Sequence, residues 1–170
     1  LLRVRNNLRR WPARLTKRFF DLTAAALLLL LLSPFMLLIA MALKIEGGSV
    51  LFAHQRIGKN GRKFYCYKFR SMVPNAEQQL QSILQQNPSL KEEWHKEHKL
   101  KDDPRVSKVG DFLRRTSLDE LPQLFNVLKS EMSLVGPRPI VQDELQKYGL
   151  EKSYYLMVRP GMTGLWQVSG

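Results

Sequence analysis

From Leu22 to Leu43 the chain carries no charged residue, and Leu, Ala, Ile, Phe and Met fill almost every position. No other feature constrains the fold as tightly. At about 1.5 Å per residue, a helix of this run just crosses a hydrocarbon core of roughly 30 Å. A cleaved signal peptide does not fit. The apolar stretch outlasts an h-region, and Lys44-Ile45-Glu46 stands where a small-residue cleavage site belongs. A buried soluble helix is the plainer alternative, but apolarity on every face favours lipid. Ser33-Pro34 falls in the middle of the run. Pro34 removes one backbone donor and sets its ring against the carbonyl of Leu30, which predicts a bend. In hydrocarbon the freed carbonyl needs a partner, and a neighbouring serine hydroxyl can supply one.

Charge on the two flanks bears on the path of this helix. Arg3, Arg5, Arg9, Arg10, Arg14, Lys17 and Arg18 precede the run, with no acid until Asp21. Lys44, Arg56, Lys59, Arg62, Lys63 and Lys68 follow it, with Glu46 the only acid among them. The positive-inside rule asks for one basic flank, and here both are basic. A helix entering and leaving on the cytoplasmic face satisfies both, so a re-entrant helix-break-helix over 21–44 is favoured over a span. Upstream, Leu1, Val4, Leu8, Trp11, Leu15 and Phe19 recur at helical spacing with arginines between them. Segment 1–20 therefore reads as a basic amphipathic stretch lying in a headgroup layer, bent or restarted at Pro12. A nucleic-acid arm or a linker is the alternative. The whole chain has 27 Lys and Arg against 15 Asp and Glu, a formal net charge of +12. That surplus points to an anionic partner (nucleic acid, anionic lipid or a phosphorylated substrate) without choosing among them. One cysteine, Cys66, excludes an internal disulfide and fits a reducing compartment.

Segment 45–170 reads as a mostly helical α+β domain. Val50 to Phe52 and Phe64 to Phe69 are rich in aromatic and β-branched residues, and Gly58 with Asn60-Gly61 between them predicts a small β-hairpin. Asn75 to Leu100 is polar with helical spacing, divided in two by Asn87-Pro88. His95 and His98 lie three apart on the second half, but with no carboxylate or cysteine frame they read as a solvated face. Val106, Val109, Phe112 and Leu113 predict a helix ending near Arg114 and Arg115, and Leu121, Leu124, Phe125 and Leu128 predict the next. Gly136 to Pro139 and Arg159-Pro160-Gly161 are stiff turns.

Between those two helices lies Ser117-Leu118-Asp119-Glu120-Leu121-Pro122. Ser117 with Glu120 three residues on has the spacing of a capping box, with Asp119 favoured by the helix dipole. On spacing alone a helix cap accounts for both acids. Pro122 weakens that account, because a proline at the fifth helical position loses an intrahelical bond. A helix starting at Pro122 itself leaves Asp119 and Glu120 exposed on the entering loop. Phosphoryl transfer could use that arrangement. An aspartate can attack phosphorus, a neighbouring carboxylate can hold Mg²⁺, and fixed cations must offset repulsion from a diphosphate. Lys68, Arg70, Arg114 and Arg138 stand at the ends of rigid elements, although each could equally be a solvated surface cation.

The order of these pieces resembles the bacterial sugar transferase family, the polyprenyl-phosphate phosphoglycosyl transferases. The matching stretches are Lys17 to Asp21, Ser33-Pro34, Tyr67 to Met72, Asp103-Pro104-Arg105, Thr116 to Asn126, Met132 to Pro139 and Arg159 to Gly170. The resemblance implies a monotopic membrane protein whose re-entrant helix breaks at Ser33-Pro34, with a catalytic domain on the cytoplasmic face of the bacterial inner membrane. It implies Asp119 as the nucleophile that takes a sugar-phosphate from a UDP-sugar and releases UMP. Glu120 would help hold Mg²⁺. Lys68, Arg70, Arg114 and Arg138 would bind phosphate, and undecaprenyl phosphate would accept the group as the first step of O-antigen, capsule or exopolysaccharide assembly. Asn75 to Leu100, the basic start and Tyr154-Tyr155-Leu156 resemble the larger members that act on UDP-galactose, with UDP-glucose not excluded. Family chains continue past Gly170, so 45–170 is expected to be C-terminally incomplete. A homodimer is left open, and nucleic acid is not an expected partner. The competing reading is a non-catalytic, basic, membrane-tethered binding module.

Overall fold

A computed structural model describes residues 11–97, 100 and 102–168. The first half of the basic stretch over 1–20, the side chain of His95, and His98 lie outside the described residues. Helix α1 runs from Trp11 to Ile45. It starts within the expected interfacial segment, so no structural break marks the division at 20/21. Its Leu- and Ala-rich middle suits a helix, and Leu27, Leu30, Leu31, Leu37 and Leu38 are all exposed. It is the one helix, among the described residues, long and apolar enough to cross a membrane.

The break expected at Ser33-Pro34 is not observed, because helical backbone continues through both residues. Ser33 Oγ donates to the Leu30 carbonyl at 2.9 Å. That carbonyl is the one Pro34 leaves without its usual donor. The serine thus satisfies the helix locally, and the proline is accommodated without unwinding.

After α1 come strands β1 (Leu51–Ile57) and β2 (Lys63–Phe69), the expected hairpin. Their connection is a tight turn over Lys59–Gly61, with Asn60 at φ 58°. Asparagine tolerates this left-handed conformation better than most residues, which explains the Asn-Gly pair. Helices α2 (Ala76–Gln86) and α3 (Pro88–Glu97) divide at Asn87-Pro88 as expected. Next come α4 (Lys108–Arg115), α5 (Gln123–Leu128) and strand β3 (Ser133–Val135). Helices α6 (Gln142–Lys147) and α7 (Lys152–Leu156), strand β4 (Gly161–Thr163) and helix α8 (Leu165–Val168) complete the chain.

The chain divides into two compact units, and the division cuts α1 just beyond Pro34. The first comprises the described part of Leu1–Phe35 with Ala53–Tyr67 and Pro122–Gly170. Its core joins Ala25 of α1 to Phe64 and Cys66 of β2 and to Leu124, Val127 and Met132. Two polar anchors fix α1 in this unit. Asp21 is buried, accepts from Lys17 Nζ at 3.0 Å and Ser133 Oγ at 2.7 Å, and is approached by Leu134 N at 3.3 Å. Arg18 donates to the carbonyls of Val127, in the last turn of α5, and of Met132 beyond it. Strands β3 and β4 pair in parallel, Ser133 with Gly161 and Val135 with Thr163. A second cluster gathers Ile57, Ile140, Leu145 and Tyr155, whose phenol donates to Ile57 O at 3.0 Å. Burial pushes that phenol up to about 12.

The second unit comprises Met36–Phe52 and Lys68–Leu121. It holds the end of α1, the last residues of β2, and helices α2 to α4. Here Gly110 of α4 lies so close to the Ser71 backbone that any Cβ would collide with it. Arg105 is buried, clasps Asp103 through Nε and Nη2 at 2.7 and 2.6 Å, and lies 5.3 Å from the Trp94 ring centroid.

Candidate active site

The period of a strand explains which β2 residues turn inward. Phe64 and Cys66 are buried, and Lys68 follows them in the alternation of the strand, with Arg70 just past its end. The two cations nevertheless have different partners. Lys68 Nζ donates to Glu120 Oε1 at 2.6 Å and lies 3.7 Å from Asp119 Oδ2. Arg70 instead donates to the carbonyls of Leu43 and Gly47, with Glu46 at 4.0 Å. Arg70, expected to bind phosphate, has its guanidinium turned to the end of α1, where the last helical carbonyls lack donors.

The acids sit on a tight turn over Leu118–Glu120, entered through Ser117 at φ 56°. Ser117 makes no side-chain cap, so the capping-box account fails. Helix α5 starts at Gln123 with Pro122 before it, as the proline required. The expected exposure of both acids is overturned. Asp119 is only 8% exposed and Glu120 is half-buried. The left-handed kink at Ser117 and the reach of Lys68 fold the turn inward rather than outward.

Burial pushes the Asp119 carboxyl above its ordinary value, with Lys68 opposing, Glu120 adding to the rise, and Arg114 opposing. Desolvation makes a carboxylate a stronger nucleophile than hydration does, and a neighbouring ammonium favours its ionised form. Arg114, in the last turn of α4, donates from Nε to Ser71 Oγ at 2.8 Å. Arg115 is paired with Asp111 at 2.7 Å on the exposed side of the same helix. Ser71 thus fixes the second cation, a role its place beside Arg70 gave no sign of. Arg114 also lines an open cavity of about 550 Å³ with Leu100, Asp103, Pro104 and Val106. Arg138 lies in the first unit, exposed on its turn, with its carbonyl accepting from Tyr155 Oη at 3.2 Å.

Among the described residues there is no group of three or more metal-ligating side chains. The donor set still fits Mg²⁺ in its usual enzymatic form. That ion keeps several waters and takes only one or two carboxylates, with substrate phosphate completing its shell. Adjacent Asp119 and Glu120 supply such oxygens. They do not suit zinc, which would want nitrogen or sulfur ligands.

Residues 12–170 match the model of the family described as bacterial sugar transferase. The chain is 54% identical over its whole length to an undecaprenyl-phosphate galactose phosphotransferase of Salmonella typhimurium, covering 36% of that protein. It is 49% identical, again over its whole length and 36% of the relative, to a UDP-galactose-lipid carrier transferase of Erwinia amylovora. With an undecaprenyl-phosphate glucose phosphotransferase of Komagataeibacter xylinus it shares 41% identity, over 92% of this chain and 28% of the relative. The chain therefore spans about a third of the length of these relatives.

Proposed function

We propose that this chain, which belongs to the bacterial sugar transferase family, is the phosphoglycosyl transferase core that moves a sugar-1-phosphate from a UDP-sugar to undecaprenyl phosphate. The observation that carries the reading is the buried Asp119 carboxylate with Lys68 at 3.7 Å and Glu120 beside it.

In the proposed first step, an Asp119 carboxylate oxygen attacks the sugar-bearing phosphorus of the donor. The new O–P bond makes an acyl phosphate, and the bond to the UMP oxygen breaks with its electron pair leaving on UMP. In the second, a phosphate oxygen of undecaprenyl phosphate attacks the same phosphorus and the Asp119 carboxylate leaves. Lys68 and Arg114 offset the repulsion between an anionic nucleophile and an anionic diphosphate. Glu120 would hold Mg²⁺, which when bound neutralises charge on the donor phosphates. The cavity beside Arg114 offers room for the hydroxyl-rich part of the donor.

Galactose is the favoured sugar, because two relatives matched along the whole chain are named for galactose. The likeness to a glucose phosphotransferase keeps glucose as the second reading. Helix α1 would hold the enzyme at the bacterial inner membrane, bending at Pro34 to return to the cytoplasmic face. Support for this comes from its exposed apolar surface and its two basic flanks. The test is to incubate the full-length protein and undecaprenyl phosphate with UDP-galactose and UDP-glucose separately. UMP release with galactose only is expected, and release with neither would overturn the reading.

A further inference from the structure

The proposed transfer needs two cations held against Asp119, and the second unit shows what holds them. Arg70 follows directly on the end of β2, and its backbone N–H donates to Val50 O at 2.9 Å. The Arg70 side chain is buried and reaches the end of α1, where Nη2 donates to Leu43 O at 3.0 Å and Nη1 to Gly47 O. Leu43 O belongs to the negative end of the helix, and Gly47 lies just beyond it. Gly48, at φ +80°, lets the chain turn against the guanidinium, and any Cβ there would run into Arg70 Nη1. Arg70 Nε is buried with no hydrogen-bond partner. The guanidinium is thus aimed by its two carbonyls rather than by full satisfaction of its donors.

Glu46 extends the junction to α4. It lies 4.0 Å from Arg70 Nη2 and accepts from Ser107 Oγ at 2.8 Å. Ser107 is the N-cap of α4, its Oγ accepting from Gly110 N at 3.0 Å. The far end of that helix carries Arg114, tied back to Ser71. The end of α1 is therefore fastened to both elements that bear the active-site cations. Among the described residues, Glu46 and Arg70 make no hydrogen bond to the acid pair.

We infer that Glu46 and Arg70 are positioning residues for the transfer reaction, clamping the end of the apolar helix to the strand that carries Lys68 and the helix that carries Arg114. The inference rests on the reading of Asp119 as nucleophile. A displaced junction moves Lys68 and Arg114 without removing either, so the apolar helix governs the charge around the reacting carboxylate.

The test uses full-length protein in lipid nanodiscs with undecaprenyl phosphate and the UDP-sugar that the wild type turns over. Glu46→Ala and Arg70→Lys lower kcat for UMP release on the order of 10- to 100-fold, because a small misplacement of charge is costly in the transition state. Lysine cannot span two carbonyls as the guanidinium fork does. KM stays nearly unchanged, the signature of an interaction realised only at the barrier. Glu46→Gln keeps an acceptor for Ser107 but loses the charge facing Arg70, and gives an intermediate loss. Activity that falls only in proportion to folded protein, with kcat per folded molecule unchanged, would mean a merely structural role and overturn the inference. So would wild-type kcat in folded Glu46→Ala. If Glu46→Ala does not fold, Glu46→Gln and Arg70→Lys decide by the same readouts. A wild type that releases no UMP would instead overturn the reading of the reaction, and this inference with it.

Discussion

Lys68 Nζ donates to Glu120 Oε1 at 2.6 Å, joining a strand end to a turn 52 residues later. Its distance to Asp119 Oδ2 is longer, 3.7 Å. The ammonium is thus held by one carboxylate while its charge acts on the other. Asp119 keeps an oxygen free of a short charge-assisted bond, as a nucleophile needs, and still stands beside a cation.

Removing that cation tests the division of labour. Lys68→Met should lower kcat/KM about 10²- to 10³-fold, the usual loss when a fixed charge facing a developing anion is deleted. The acid limb of the profile should also rise, since Lys68 opposes the upward push of burial on Asp119. Steady-state UMP release across pH measures both, and an unshifted limb would place Lys68 outside the site.

Asp119→Asn should abolish UMP release and the sugar-phosphate adduct on the protein, read by intact mass after incubation with donor. It should also stabilise the fold at neutral pH. The sign follows from the direction of the shift. The folded state binds the Asp119 proton more tightly than the unfolded chain, so ionisation costs stability. That cost is complete above the raised folded value, shrinks as pH falls, and is gone below the ordinary 3.8. The melting temperature of the variant should therefore exceed that of wild type near neutrality and converge with it in acid. A lower melting temperature at neutral pH would contradict the burial argument.

Single cysteines placed before Asp21 and after Lys44 should label from the same side of the membrane if α1 returns at Pro34. The native Cys66 is buried. Labelling from opposite sides would make α1 a true span. Pro34→Ala restores the backbone donor and should shift the population towards spanning, whereas unchanged labelling would leave flanking charge as the determinant.

Asn126 is fully buried and bridges β2 to α5. Its Oδ1 accepts from Tyr67 N at 3.0 Å, and its Nδ2 donates to Tyr65 O at 2.7 Å and Glu131 Oε2 at 2.6 Å. Asn126→Ala leaves part-buried groups unpaired on the strand (Tyr67 N and Tyr65 O) and on the loop after α5 (Glu131 Oε2), at about 1–3 kcal/mol for each group. Denaturant unfolding should show the loss, and a change under about 0.5 kcal/mol would place water in the gap.

Much of the architecture was legible because its signals are local. Asn60-Gly61 marks the hairpin, Asn87-Pro88 divides two helices, and Pro122 forces α5 to start after the acids. The three-residue strands β3 and β4 are too short for a period to show, and they form only through a parallel pairing across Ser133 and Gly161. The direction of Arg70 was also hidden. Lys68 and Arg70 stand two residues apart and carry one sign of charge, and only the arrival of Gly47 and the end of α1 separates their partners. Burial of Asp119 depends likewise on the left-handed Ser117 and on Lys68, which no spacing within Ser117 to Pro122 encodes.

The bond from Ser33 to the Leu30 carbonyl bears on timing as well as shape. A helix that satisfies its proline-freed carbonyl from its own side chain can enter lipid as soon as it is synthesised. Asp21 is different, since two of its partners, Ser133 Oγ and Leu134 N, lie more than a hundred residues later. Until those residues emerge, Lys17, four residues away, is the local partner for its charge. Docking through Ser133 and Leu134 can come only after their synthesis, and Lys17 is the partner within reach of Asp21 before then.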